Sequence, residues 1–163
     1  MSRRKPPVSR ETLIPQALRE LFELAVESRL RAHAPYSGHR VGAAIRTRDG
    51  RLFGGCNVEN SSYGATTCAE QVAIHNAVVS SPQKPEISEV YVVTDADPAW
   101  PPCGICRQVL AEFGTPQTRV FAGDTEGKSR LLLLADLLPE AFTPEHLAPA
   151  RKGKRTQKSK RDF

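Results

Sequence analysis

VGAAIRTRDGRLFGGCNVE, residues 41–59, is the stretch on which the fold turns. VGAAIRT (41–47) and RLFGGCNVE (51–59) each read as a strand, with Asp49-Gly50 between them. That dipeptide suits a tight turn whose residues need positive φ, so the two strands form an antiparallel hairpin. Outward from the hairpin, strands and helices alternate. Residues 67–80 read as a helix, EVYVVTD (89–95) as a buried strand and 103–113 as a second short helix. TRVFAG (118–123) and SRLLLLA (129–135) read as the last strands, and Asp136-Leu137-Leu138-Pro139 leads into a short terminal segment. Upstream, Ile14, Leu18, Leu21, Phe22, Ala25 and Val26 recur mostly at three- and four-residue steps, which predicts a helix over 11–32. Pro15 fits only in its first turn, where the missing N–H costs nothing. Ala34-Pro35-Tyr36-Ser37-Gly38 ends it. Strands interleaved with helices predict an α/β sandwich, and the hairpin makes its sheet mixed.

The chain has 163 residues and 39% apolar content, which suits one domain with a sizeable core. No apolar run approaches the roughly 20 residues of a membrane helix. The basic start, MSRRKPPVSR, lacks the apolar stretch of a secretory signal, so a cytoplasmic protein is expected. Charge is uneven. Residues 1–10 hold four basic side chains and no acidic one, and residues 151–163 hold seven against Asp162. Between them, 12 basic groups face 17 acidic ones. We read 1–10 as a flexible basic arm, 11–150 as the folded domain and 151–163 as a disordered basic tail. A nucleic-acid groove would show as a basic body, and stacking on single strands calls for more aromatic residues than the 6% here. Contact of the tail with nucleic acid is therefore the weaker reading, and a solvated tail the stronger one.

Four cysteines occur: Cys56, Cys68, Cys103 and Cys106. In a reducing compartment such a set points to metal or catalysis more than to disulfides. Thr67-Cys68-Ala69-Glu70 and Pro102-Cys103-Gly104-Ile105-Cys106 carry the chemistry. A metal ligand, then glutamate two positions on, then a distant P-C-x-x-C is the zinc-deaminase pattern, with Cys68 in place of the first His. Cys103 and Cys106 lie three apart at a helix start, so both sulfurs can face one ion. Cys68 supplies the third. Three protein ligands leave one tetrahedral position open, which marks a catalytic rather than a structural zinc site. Cys56 has no C-x-x-C partner and reads as a buried thiol. Glu70 is expected to move protons, from water to the ring N3 and then to the departing amine.

The sequence resembles the cytidine deaminases of the small homotetrameric, three-cysteine class. The matching segments are PYSGHRVGAA (35–44), GCNVENSSYG (55–64), TCAEQVAI (67–74), PCGICRQVLAEFG (102–114) and LLPEAF (137–142). The resemblance implies a three-layer α/β/α sandwich around a five-stranded mixed sheet, one Zn²⁺ per subunit, and hydrolysis of cytidine or deoxycytidine with release of ammonia. It implies that Asn57 and Glu59 bond the ribose 3′-hydroxyl and that the backbone around Ala69 contacts the base. Tyr63 and Phe142 match positions that reach a neighbouring subunit's pocket, so a homo-oligomer is implied, a tetramer by preference.

Two positions depart from that pattern. Gln71 stands where many three-cysteine relatives have arginine, which offsets the charge of three thiolates. Gln71 offers only neutral hydrogen bonds. His39 stands where relatives place phenylalanine beside the base, which adds a polar edge to the pocket. These departures keep open a modified cytosine nucleoside or a blasticidin-like antibiotic as substrate. Glu59 favours cytidine, because the antibiotic deaminases lack it. Trp100-Pro101, just before the second motif, has no sequence-level explanation.

Overall fold

Gly50 adopts φ +88° and turns the chain between β1 (Gly42–Thr47) and β2 (Leu52–Cys56), as the Asp49-Gly50 pair predicts. The computed structural model describes residues 14–147. The basic ends expected over 1–10 and 151–163, and the limits of the domain expected over 11–150, lie outside the described residues.

Five strands form one sheet in the order β2-β1-β3-β4-β5, with β3 at Ile87–Val93, β4 at Arg119–Gly123 and β5 at Ser129–Leu133. β3 and β4 run parallel and every other pair is antiparallel, so the sheet is mixed. Side chains alternate between its faces, as the strand period of two requires. Ala43, Ile45, Val90, Val92 and Val120 pack on one face against α2 (Ala69–Val79) and α3 (Gly104–Phe113). Ala44, Tyr91, Val93 and Phe121 pack on the other against Leu18, Leu21 and Ala25 of α1 (Gln16–Arg29). These are the three layers that the resemblance implies.

The differences from the sequence reading lie at element ends, where backbone partners decide. Pro15 sits just outside α1 with ψ 142°, so the helix begins one residue after it. β2 stops at Cys56, and Val58 instead makes single bridges to His33 and Thr67. Cys68 and Cys103 keep extended backbone, with ψ 157° and 170°, and their helices start one residue later. β5 ends at Leu133, and Leu134–Leu137 turns into a fourth short helix, α4.

Gly55 sets the depth at which α2 lies on the sheet. A Cβ there would meet the Ala73 nitrogen at 2.3 Å and the Ala69 oxygen at 2.4 Å. Both are helix backbone and cannot rotate away. Gly55→Ala is expected to lower the melting temperature by roughly 3–10 °C, the effect of about 1–3 kcal/mol of overpacking in a domain of this size. Calorimetry checks it.

Candidate functional site

The three thiols converge where two helices begin. Cys68 is the residue before α2 and Cys103 the residue before α3, while Cys106 lies in the first turn of α3. Their sulfurs all lie within 4.8 Å of one another, with Cys68 Sγ and Cys103 Sγ 3.9 Å apart. Sulfurs bound to one tetrahedral zinc at the usual bond length lie roughly 3.8 Å apart. Among the described residues this is the one cluster of metal-ligating side chains tight enough to share an ion. Cys103 Sγ also accepts the Cys106 amide N–H, with 3.5 Å between the heavy atoms. Positive helix ends and free amides favour thiolate here. The Cys106 thiol, hydrogen-bonded to Cys68, lowers the Cys68 pKa to about 7, while that same bond and burial push Cys106 upward. A shared negative charge of this kind fits a bound cation. The donor set fits one zinc ion, with a fourth position left over.

Glu70 follows Cys68 by two residues in the first turn of α2 and is only 4% exposed. Burial raises its carboxyl above the ordinary glutamate range, against smaller opposing hydrogen bonds from its own backbone and from Cys106. A buried carboxyl that holds its proton more tightly is suited to taking and returning one. Gln71 reaches the thiols too, with Nε2 3.7 Å from Cys106 Sγ.

Cys68, Ala69, Glu70 and Cys103 form the floor of a pocket of about 270 Å³. Ala69 opens α2, so its N–H has no partner within the helix. Asn57 and His39 line the same pocket. Asn57 is also a structural pin: its Nδ2 donates to the His39 carbonyl at 2.9 Å and its Oδ1 accepts the Val41 N–H at 2.8 Å. Each of these atoms retains one unused hydrogen-bonding site.

Glu59, expected at the ribose, is not among the residues that line this pocket of the single chain. Its carboxylate accepts the amides of Tyr36 and Ser37 at 2.9 and 3.1 Å, and Ser37 Oγ donates to it as well. These bonds, the Ser37 hydroxyl first, hold its pKa below the ordinary value. Glu59 therefore ties down the loop whose next residues, Ser37 and His39, do reach the pocket. Tyr63 and Phe142 are 76% and 56% exposed and lie outside their own chain's pocket. Neither belongs to the buried core. Cys56 is half-buried rather than buried, at the open end of β2.

The sequence reading passed over Thr66, Val92, Thr94, Trp100 and Pro101 as pocket walls. Thr66, Val92 and Thr94 carry no signal beyond strand and loop composition. Trp100-Pro101 is unusual beside a metal motif, and that oddity was the available signal.

Residues 15–122 match the family model of the cytidine and deoxycytidylate deaminase zinc-binding region. The chain belongs to this family. A cytidine deaminase of Halalkalibacterium halodurans is 40% identical over 127 residues, which is 78% of this chain and 95% of that protein. The crystal structure of a cytidine deaminase from Burkholderia pseudomallei is similar with TM-score 0.72 and 43% identity, over 76% of this chain and 98% of that one. A cytidine deaminase structure from Mycobacterium tuberculosis gives TM-score 0.63 and 37% identity, over 76% of this chain and 95% of that one.

Removing one ligand tests the metal assignment in this family member. Cys106→Ala is expected to purify with well under one zinc per subunit, where the unaltered chain carries one; metal analysis by mass spectrometry reads both.

Proposed function

We infer that the protein is a zinc-dependent cytidine deaminase. It hydrolyses the C4 amine of cytidine or deoxycytidine to give uridine or deoxyuridine and ammonia. The observation that carries this is a buried carboxyl that lines one pocket together with Cys68 and Cys103, two of three convergent thiols. Zinc, held by Cys68, Cys103 and Cys106, supplies Lewis acidity that makes water a usable nucleophile at neutral pH.

Glu70 does the proton work. It takes the proton that water loses, delivers it to ring N3, and later passes a proton to the amine as the C4–N bond breaks. Net, one water adds and one ammonia leaves. The unpartnered N–H of Ala69 holds the base edge. The spare donor and acceptor of Asn57 and the carboxylate of Glu59 take the ribose 3′-hydroxyl, and Glu59 also grips residues 36 and 37. His39 forms part of the wall beside the base.

The active unit is a homo-oligomer, a tetramer by preference. The exposure of Tyr63 and Phe142 supports this, since large aromatic side chains outside any cavity of their own chain suit a partner's surface. The protein acts in the cytoplasm, in salvage of pyrimidine nucleosides. Three unpaired thiols this close together persist best in a reducing compartment. No helix among the described residues is long and apolar enough to cross a membrane.

Two experiments test the reading. Glu70→Ala is expected to keep its zinc and lose about 10²–10⁴-fold in ammonia release from cytidine. Loss of zinc together with activity would leave Glu70 without its assigned role. Gln71→Arg is expected to raise kcat or shift the pH optimum, because a guanidinium offsets thiolate charge that an amide does not. Superimposable rate–pH profiles would show that Gln71 has no such effect.

A further inference from the structure

Trp100 has no place in the two cores of this protein. It is 44% exposed, belongs to neither packed cluster, and sits in the irregular loop between β3 and α3. Tryptophan is enriched where one end of the ring is apolar and the other wet, as at a binding surface. Trp100 lines the same pocket as Cys68 and Cys103, three residues before Cys103 in the chain.

His39 comes to the same place from the other side. It lies in the loop before β1, held there by Asn57, which accepts from Val41 and donates to the His39 carbonyl. The two rings meet edge to face, with centroids 4.9 Å apart and planes at 73°. This contact joins two loops that share no hydrogen bond across it. Three features hold the Trp100 loop in shape. Pro98, Pro101 and Pro102 restrict its backbone. Thr94 Oγ1 accepts long hydrogen bonds from the amides of Ala96 and Trp100 at 3.4 and 3.5 Å. Arg107 Nε donates to the Pro102 carbonyl at 2.8 Å. An aromatic plane fixed in advance at a pocket wall loses little freedom when a flat ring packs on it.

We propose that Trp100 is a substrate-binding residue: with His39 it forms an aromatic wall, built from two loops, on which the pyrimidine nucleoside packs. This rests on the cytidine deaminase reading and names a contact for it. The wall acts by surface and shape, so its loss weakens binding more than it slows the chemistry.

Trp100 is the one tryptophan of the chain, so its fluorescence reports on the pocket alone. The test uses zinc-loaded full-length protein, with cytidine as substrate and uridine as the binding probe. Saturating uridine is expected to change the tryptophan emission of the unaltered protein. Trp100→Ala is expected to raise KM for cytidine about tenfold while kcat falls less than about threefold, and Trp100→Phe to recover most of the KM. Zinc content and melting temperature, measured on both variants, separate a misfolded protein from a weakened site. A Trp100 that served only to pack against another copy of the chain would shift assembly and leave KM and the emission response untouched. That result, or a Trp100→Ala KM within twofold of the unaltered protein, overturns the proposal and leaves the deaminase reading standing. No ammonia from cytidine in the unaltered, zinc-loaded protein overturns the reading itself.

Discussion

The close seat of α2 on the sheet is the constraint on which the site depends. Gly55 lets the helix backbone approach β2 to a distance that no side chain permits. That depth fixes where α2 begins, and with it Cys68 and Glu70. The parallel β3–α3–β4 unit fixes where α3 begins, and with it Cys103 and Cys106. The two starts meet at one end of the sheet. Small residues carry this geometry: Ala69, Ala73 and Ala77 are all wholly buried in the α2 face of the core. Larger side chains there would lift the helix and pull the thiols apart.

Convergence creates an electrostatic problem that the structure meets in several ways. Three thiols within 4.8 Å cannot all ionise without a cation. Two helix N-termini lower the cost of the charge, and Gln71 adds a weak donor to Cys106. Zinc takes up the remainder. Burial of Glu70 works in the opposite sense, raising its carboxyl above the ordinary glutamate range. Charge is thus divided between sulfurs that favour the anion and a carboxyl that resists it, within a few residues of chain.

The polar residues of the hairpin end have a second duty. Asn57 and Glu59 bond the backbone and side chains of the loop over 36–41, and so set the wall that faces the metal ligands. A substitution at either position acts on the pocket even where it makes no contact with substrate. Their reading as sugar ligands and their place as loop anchors are compatible for Asn57, which has hydrogen-bonding capacity to spare. Glu59 holds residues 36 and 37.

Much of the protein was legible along the chain, because it depends on local chemistry. Asp49-Gly50 specified the hairpin through positive φ at Gly50. The Cys68-x-Glu70 and Cys103-x-x-Cys106 spacings named the ligands and the proton carrier, since residues that close together at a helix start share one direction. The apolar run EVYVVTD (89–95) marked β3 as a buried strand. Tertiary structure alone decided the rest. Strand ends at Cys56 and Leu133 follow from partners found elsewhere in the chain, and Glu59's engagement with residues 36 and 37 depends on a loop 22 residues away. The contact of Trp100 with His39 joins positions 61 apart, and no spacing rule links them. Ligand identity is written in short-range pattern; the shape of the wall around it is set by how distant loops pack.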